Sequence, residues 1–273
     1  DLQAERYRAT HDPLTGLYNK EFFYEKVRQR LDEQPEEKFI LICSDIGNFK
    51  MVNDVFGMEC GDRVLIRIAR ALHKMCKPDR IYGRIGNDGF ALLMKKSDYG
   101  EEYFQNVPQS KVYVEKDIEY PIRLYLGVYE IVQKDLPVSG MCDRAKMAIA
   151  TIKGNYQKRL AYYDEKLRQS VLNEQEIMGE LDDAIASGQF HIYLQAQVNG
   201  QGESHGAEAL VRWIHPKKGY LPPSAFIDIL EKNGAIVRLD RYIWELACQK
   251  LREWTDEGRE DMYLSVNISP KDF

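Results

Sequence analysis

The 273-residue chain has no apolar run approaching the ~20 residues that a membrane-spanning helix needs, and its start carries no signal-peptide pattern. No membrane contact is expected of it. It also lacks any CxxC pair. Cys43, Cys60, Cys76, Cys142 and Cys248 are odd in number and widely scattered, which argues against a zinc or redox site and for reduced thiols in a cytoplasmic setting. Blocks of like charge are absent as well. The formal net charge of -5 comes from interspersed acids and bases, so no polybasic face is offered to a nucleic-acid backbone or an anionic lipid surface, while a local pocket for a free nucleotide is still allowed. No self-similarity relates the two halves, which points to two domains rather than a repeat. What is present is ordinary soluble globular material, 44% hydrophobic. The first residue is Asp1 rather than Met, which suggests a piece of a longer parent.

Lys20 to Leu31 place Phe22, Phe23, Val27 and Leu31 near helical spacing. After a polar loop, Phe39-Ile40-Leu41-Ile42-Cys43 reads as a buried strand with the carboxylate of Asp45 where it stops. Asp62 to Met75 predict a helix through Val64, Leu65, Ile68, Ala69 and Leu72. Arg80 to Ile85 and Phe90 to Met94 flank a Gly-rich turn and predict a hairpin. A strand is expected over Ile122 to Val132 and an amphipathic helix over Met141 to Ile152. Alternating elements of this kind argue for one mixed α/β domain over residues 1–164. A connecting helix follows at 165–187. Beyond it the pattern restarts at 188–273, with strands Phe190 to Val198, Ala207 to Trp213 and Met262 to Ile268 and helices Pro223 to Asn233 and Leu239 to Trp254.

The series Asp45-Ile46-Gly47-Asn48-Phe49-Lys50-Met51-Val52-Asn53-Asp54, Gly57, Gly61-Asp62 and Arg84-Ile85-Gly86-Asn87-Asp88-Gly89-Phe90, opened by Asp12-Pro13-Leu14-Thr15-Gly16-Leu17-Tyr18-Asn19, resembles the GGDEF family. Its members are diguanylate cyclases or their degenerate relatives, and the resemblance runs to the helix ending near Lys153. It implies a palm-like mixed sheet with flanking helices. The implied chemistry joins two GTP molecules by attack of a ribose 3′-hydroxyl on an α-phosphate, assisted by Mg2+ or Mn2+. By motif position Asp45 and Asp88 are the metal ligands, with Asp88 also catalytic. Asn53 and Asp62 take the guanine-reading positions, Lys50 and Lys153 the phosphate-contacting ones, and Gly86 lies in the nucleotide loop. Read without the family, Asn53 and Asp62 are equally helix or turn caps, and the lysines solvated surface charges. A polymerase-palm relative would share the same two-metal logic.

The departures from the family pattern fall in the loop. Asn87 stands where a second glycine would let backbone approach phosphate; asparagine tolerates positive φ but adds bulk. Gly89 stands where the family carries Glu, so one acid is missing. Cyclase activity is therefore expected to be weak or absent, with GTP binding retained through Asp88. Lys77-Pro78-Asp79-Arg80 occupies the place of the family's product-inhibition Arg-x-x-Asp, and the changed charges remove the phosphate fork. Feedback by cyclic dinucleotide is not expected.

In the second half, Tyr193-Leu194-Gln195-Ala196-Gln197, Glu208-Ala209-Leu210-Val211-Arg212-Trp213, Pro216, Gly219, Pro222, Phe226 and Val266-Asn267-Ile268-Ser269-Pro270 resemble the EAL family of cyclic-di-GMP phosphodiesterases. That family builds a modified (β/α)8 barrel with two metals at the C-terminal strand ends. The resemblance makes Glu208 and Asn267 metal ligands, with Glu208 catalytic, and Gln195 and Arg212 contacts to cyclic-di-GMP. Alone, Glu208 would read as a solvated strand-end acid. Ala196 replaces the usual Pro. The sequence ends well short of a full barrel, so the fragment is expected to be inactive in hydrolysis and a longer parent active. The expected partners are GTP and cyclic-di-GMP. A residual cyclase would work as a homodimer, and a third reading is a catalytically inactive cyclic-di-GMP receptor.

Overall fold

The computed structural model describes residues 2–270 apart from 75, 76, 78, 106–109, 116, 117 and 156, and divides into two compact units, Asp1–Arg168 and Gln169–Phe273. The first unit contains α1 (Leu2–Thr10), α2 (Lys20–Glu33), β1 (Phe39–Ile46), α3 (Phe49–Phe56), α4 (Met58–Lys74), β2 (Ile81–Arg84) and β3 (Phe90–Lys95). It continues with α5 (Glu101–Gln105), β4 (Ser110–Glu115), β5 (Ile118–Ile122), β6 (Leu124–Glu130), α6 (Val138–Ile152) and β7 (Leu160–Tyr162). Its five-stranded sheet has the order β2-β3-β1-β6-β7, antiparallel except for the parallel β6–β7 pair.

β1 lies at the centre of this sheet, and its sequence shows why. Alternate side chains point to opposite faces of a strand. Phe39, Leu41 and Cys43 enter one core with Phe23 and Val27 of α2 and Met141 and Ala145 of α6. Ile40, Ile42 and Ile46 enter the other with Val52 of α3 and Val64 and Leu65 of α4. Both faces are covered, so the strand reads as an unbroken apolar run. It continues three residues past the apolar run, which places Asp45 inside the strand and one residue before its end. The start of α2 is fixed by Asn19, whose side chain accepts from the Phe22 amide at 2.9 Å.

The second unit holds the C-terminal part of α7 (Glu165–Ala186), then β8 (Phe190–Val198), β9 (Ser204–His215), β10 (Gly219–Leu221), α8 (Ile227–Lys232), α9 (Ile236–Asp256) and β11 (Tyr263–Val266). β8 pairs antiparallel with β9, and β11 pairs parallel with it after the crossover through α9. Ile177, Leu181 and Ala184 of α7 pack in one core with Phe190, Trp213, Phe226 and Leu239, so this helix helps build the second unit. The rings of Phe190, Trp213 and Phe226 meet at centroid distances of 4.8–5.7 Å in tilted and edge-on arrangements that suit aromatic quadrupoles.

Two predicted elements divide in the structure. The strand over Ile122 to Val132 is β5 and β6 on either side of Arg123, and the helix over Pro223 to Asn233 is a 3-10 turn (Pro223–Ala225) and α8, separated by the fully buried Phe226. In both cases a sequence window averages over one junction residue.

Gly127 of β6 fixes how closely α6 lies on the sheet. A Cβ there would stand 1.9 Å from the carbonyl oxygen of Ala145. Gly127→Ala is expected to push α6 outward and cost about 1–3 kcal/mol, the usual penalty of overpacking. Urea unfolding followed by circular dichroism checks this, and an unchanged midpoint contradicts it.

Candidate functional site

In the first unit the loop between β2 and β3 is closed by the Ile85 amide, which donates to the Gly89 carbonyl at 2.9 Å. The register Ser44↔Phe90 then brings the loop beside the end of β1, and the Phe90 amide donates to Ser44 Oγ at 3.3 Å. Asp45 Oδ2 accepts from Lys153 Nζ, at the end of α6, at 2.9 Å. Its Oδ1 is buried without a hydrogen-bond partner. Asp88 has its pKa raised, first by burial and then by the negative charge of Asp45, with Lys153 and Arg84 offsetting only part of this. Two carboxylates thus compete for one ammonium, and an unsatisfied oxygen is left over. That donor set fits a hard divalent cation such as Mg2+ or Mn2+. Among the described residues no group of three His, Cys, Asp or Glu side chains could enclose one. A Mg2+ ion, however, is commonly held by one or two carboxylates and completed by substrate phosphate and water.

Next to Asp88 lies a cavity of about 480 Å³ whose lining includes Lys50, Asn53, Asp62, Arg84, Asn87 and Asp88. Four of the residues predicted from the motif therefore meet in one place. Asn53 sits inside α3 and Asp62 inside α4, so neither caps a helix. The Oδ1 of Asn53 is buried and has no partner in the protein. A Cβ on Gly61 would come within 1.9 Å of that oxygen and 3.3 Å of the Phe49 ring. The missing side chain at 61 is what lets the Asn53 amide lie where it does. Gly86 does not line the cavity; it shapes the loop.

The loop departs from expectation in its backbone. Among the described residues Asn48 is the only non-glycine with positive φ, at 56°, and neither Gly86 nor Gly89 has positive φ. Asn87 therefore changes bulk, not conformational freedom.

Two residues carry the loop that the sequence reading quoted without giving them a role. Arg84 Nη2 donates to the Asn87 carbonyl at 2.6 Å, while Nη1 pairs with the Asp12 carboxylate at 3.2 Å. The pair is largely buried, with side-chain exposures of 16% and 18%. Burial acts to raise the pKa of Asp12. Hydrogen bonds from the Thr15 side chain and amide, with the charge of Arg84, outweigh it and hold the pKa below 3.8. The stability this lends is present above 3.8 and is lost as pH falls through the lower folded-state value.

In the second unit Gln195, Glu208 and Ser265 are register partners across β8, β9 and β11 and share one face of the sheet. Asn267 Nδ2 donates to Glu208 Oε1 at 3.2 Å, and Gln197 Nε2 donates to Ser265 Oγ at 3.1 Å. Arg212, further along the same face of β9, stacks over Tyr193 at 5.5 Å from the ring centroid. The opposite face of β9 carries Ala207, Ala209 and Trp213, all buried. Strand alternation therefore places Gln195, Glu208 and Arg212 on one face, and Asn267, just past the end of β11, joins them through its hydrogen bond to Glu208. His215 was missed by sequence reasoning. It is 4% exposed, its Nδ1 accepts from the amides of Lys217 and Lys218, and Nε2 consequently carries the proton given to Glu180 Oε2 at 2.7 Å. It fixes the turn into β10 and has no contact with Glu208.

Residues 9–159 match the family profile described as "Diguanylate cyclase, GGDEF domain". The chain belongs to the GGDEF family. Residues 178–273 match the EAL domain profile, so a partial EAL domain follows the GGDEF domain, the arrangement of cyclic di-GMP signalling proteins. The bifunctional diguanylate cyclase/cyclic di-GMP phosphodiesterase MucR of Pseudomonas aeruginosa is 26% identical over 97% of this chain and 40% of its own length. The cyclic di-GMP phosphodiesterase PdeR of Escherichia coli is 26% identical over 97% of this chain and 41% of its length. The chain spans 33–41% of the length of such curated relatives. Among solved structures, the GGDEF domain of PA1120 from P. aeruginosa superposes with a TM-score of 0.53 at 23% identity, covering 59% of this chain and 99% of that one. Vibrio cholerae LapD, S helix-GGDEF-EAL, gives 0.50 at 20% identity over 99% of this chain and 64% of its own. At these identities the structures support the fold alone.

Within the GGDEF domain, Arg84→Ala frees the loop carbonyl and leaves Asp12 with the Thr15 hydrogen bonds but without its cation. We expect a loss of about 2 kcal/mol, typical for hydrogen bonds to charged groups. The acid limb of the stability–pH curve should become shallower, because Asp12 loses the charge of Arg84 while it keeps the hydrogen bonds from Thr15. Chemical unfolding at several pH values checks this; a parallel pair of curves contradicts it.

Proposed function

We propose that the GGDEF domain holds a guanine nucleotide without cyclising it, and that the bound nucleotide regulates the EAL portion through α7. The observation that carries the reading is an intact cavity beside a depleted loop. Asn53, Asp62, Lys50 and Asp88 line one cavity, with Asp45 and Lys153 beside Asp88, while Gly89 supplies no carboxylate. Asp62 can accept from the N–H edge of guanine, and Asn53 can donate from Nδ2 to a guanine acceptor while its buried Oδ1, which lacks a partner in the protein, accepts from an exocyclic N–H. Lys50 and Lys153 face the phosphates. Mg2+ or Mn2+ held by Asp45 and Asp88 would neutralise the triphosphate when bound. Attack by a 3′-hydroxyl also needs an acid–base group aimed at the reacting atoms. Position 89 offers none.

In the EAL portion Glu208 and Asn267 form the start of a metal-binding edge, and Arg212 and Gln195 present a fork and an amide to a phosphodiester. The reading for the longer protein is hydrolysis of cyclic-di-GMP to the linear dinucleotide. MucR and PdeR bear names for that activity, and LapD has been solved bound to c-di-GMP.

Isothermal titration of the chain with GTP and Mg2+ tests the first half of the proposal. Binding is expected, and Asp62→Ala should weaken it by about tenfold or more, since unpaired polar groups discriminate strongly. Absence of heat would remove the nucleotide reading. Chromatography of the same mixture should show no cyclic-di-GMP. The variant Asn87→Gly/Gly89→Glu should then gain product. A Cβ at 89 meets nothing closer than the Ser44 carbonyl at 3.6 Å, so a side chain can start there without a backbone clash. Product from the unaltered chain would refute the non-cyclising reading.

A further inference from the structure

Cys43 and Cys142 stand 99 positions apart, and nothing in the spacing of the cysteines pairs them. The fold does. In the first unit Cys43 lies in β1 between two small register partners, Ala91 of β3 and Gly127 of β6. The bare Gly127 admits α6 so closely that a Cβ there would stand 1.9 Å from the Ala145 carbonyl oxygen. Cys142 lies about one turn before Ala145 on α6 and is buried in the same core as Cys43. Cys43 Sγ donates to the Cys142 carbonyl at 3.7 Å and is within hydrogen-bond reach of the Cys142 sulfur as well. Cys60 belongs to the opposite core, and Cys248 is exposed on α9 of the second unit. A buried thiol among apolar groups is inert, because burial keeps it protonated. Cys142 has other company. Its pKa is lowered by the hydrogen bond from Cys43, and the charge of Lys146 with a hydrogen bond from the Tyr24 hydroxyl outweighs the opposing effects of burial and Asp143. Tyr24 is only half-buried, so the side chain that touches this sulfur also touches solvent.

We propose that Cys142 and Cys43 form a modification site, a dithiol that hydrogen peroxide converts to a disulfide within the folded domain. The water-sized oxidant reaches Cys142 along Tyr24. The Cys142 thiolate attacks one peroxide oxygen, the O–O bond breaks, and the departing hydroxide takes up the proton that the thiol had released. Cys142 is thereby oxidised to a sulfenic acid and the peroxide is reduced to water. The Cys43 sulfur then attacks the Cys142 sulfur. An S–S bond forms, the S–O bond breaks, and the hydroxyl leaves with the Cys43 proton as a second water. Two thiols and one hydrogen peroxide give one disulfide and two waters. The bridge joins β1, two residues before Asp45, to α6, at whose end Lys153 stands.

The test treats the whole folded chain with a small excess of hydrogen peroxide, blocks the remaining thiols with iodoacetamide and maps the cysteines by mass spectrometry without reductant. A linked Cys43–Cys142 peptide pair is expected. Its rate of formation should fall by about threefold or more in Tyr24→Phe, since less thiolate remains when one donor is lost. In Cys43→Ser, dimedone should trap Cys142 as its sulfenic acid, and in Cys142→Ser it should find Cys43 unoxidised, with thermal melts showing that both variants are folded. A bridge that forms only once urea has unfolded the chain, oxidation confined to Cys248, a rate indifferent to Tyr24→Phe, or trapping at Cys43 in Cys142→Ser would each overturn the proposal. None of these measurements involves a nucleotide, so the GTP reading stands or falls on its own titration.

Discussion

Asp45, ion-paired to Lys153, and Asp88 are two carboxylates close enough for the charge of one to act on the other. This excess of negative charge is the constraint around which the first unit is arranged. Burial together with the charge of Asp45 pushes Asp88 toward taking up a proton. The fold holds them together despite the repulsion. Asp45 is the penultimate residue of a strand paired on both sides, and Asp88 sits in a loop pinned at Asn87 by Arg84. A site under this kind of electrostatic load favours any cation that enters it, and favours the phosphates such a cation brings along.

Packing also positions the pair. Gly127 admits α6 close to the sheet, and α6 in turn sets Lys153 against Asp45. Gly61 leaves room for the Asn53 amide, so the Asn53 wall of the cavity depends on an atom that is absent. The same logic holds in the second unit, where one face of β9 is committed to Ala207, Ala209 and Trp213 and the other is thereby left to Glu208 and Arg212.

How far the sequence discloses this depends on the range of each interaction. β1, β3, α2, α4 and α9 were legible because apolar periodicity is a local signal. α3 was passed over because its eight residues carry the motif itself, and β7 and β10 are three-residue strands with no periodicity to read. The β4–β5 hairpin was likewise missed. Lys50, Asn53, Asp62 and Asp88 line one cavity although they are spread over 39 positions, and a family pattern stores such a grouping where spacing alone does not. The Arg84–Asp12 pair spans 72 positions, and no local pattern announces it. His215 was invisible for a similar reason, since its partner Glu180 lies 35 residues away on α7. The backbone of the loop went the other way: positive φ was invoked for Asn87, and the hairpin needs none.

The central claim is that Asp45 and Asp88 repel one another across a site built to receive a cation and a nucleotide. Carbon-13 NMR titration of the Asp88 carboxylate reads that repulsion directly, in the unaltered chain and in Asp45→Asn. The account predicts an Asp88 pKa above the ordinary value of 3.8 that falls when Asp45 is neutralised, and falls also on adding Mg2+. An Asp88 pKa at or below 3.8, or one indifferent to both Asp45→Asn and Mg2+, would contradict it.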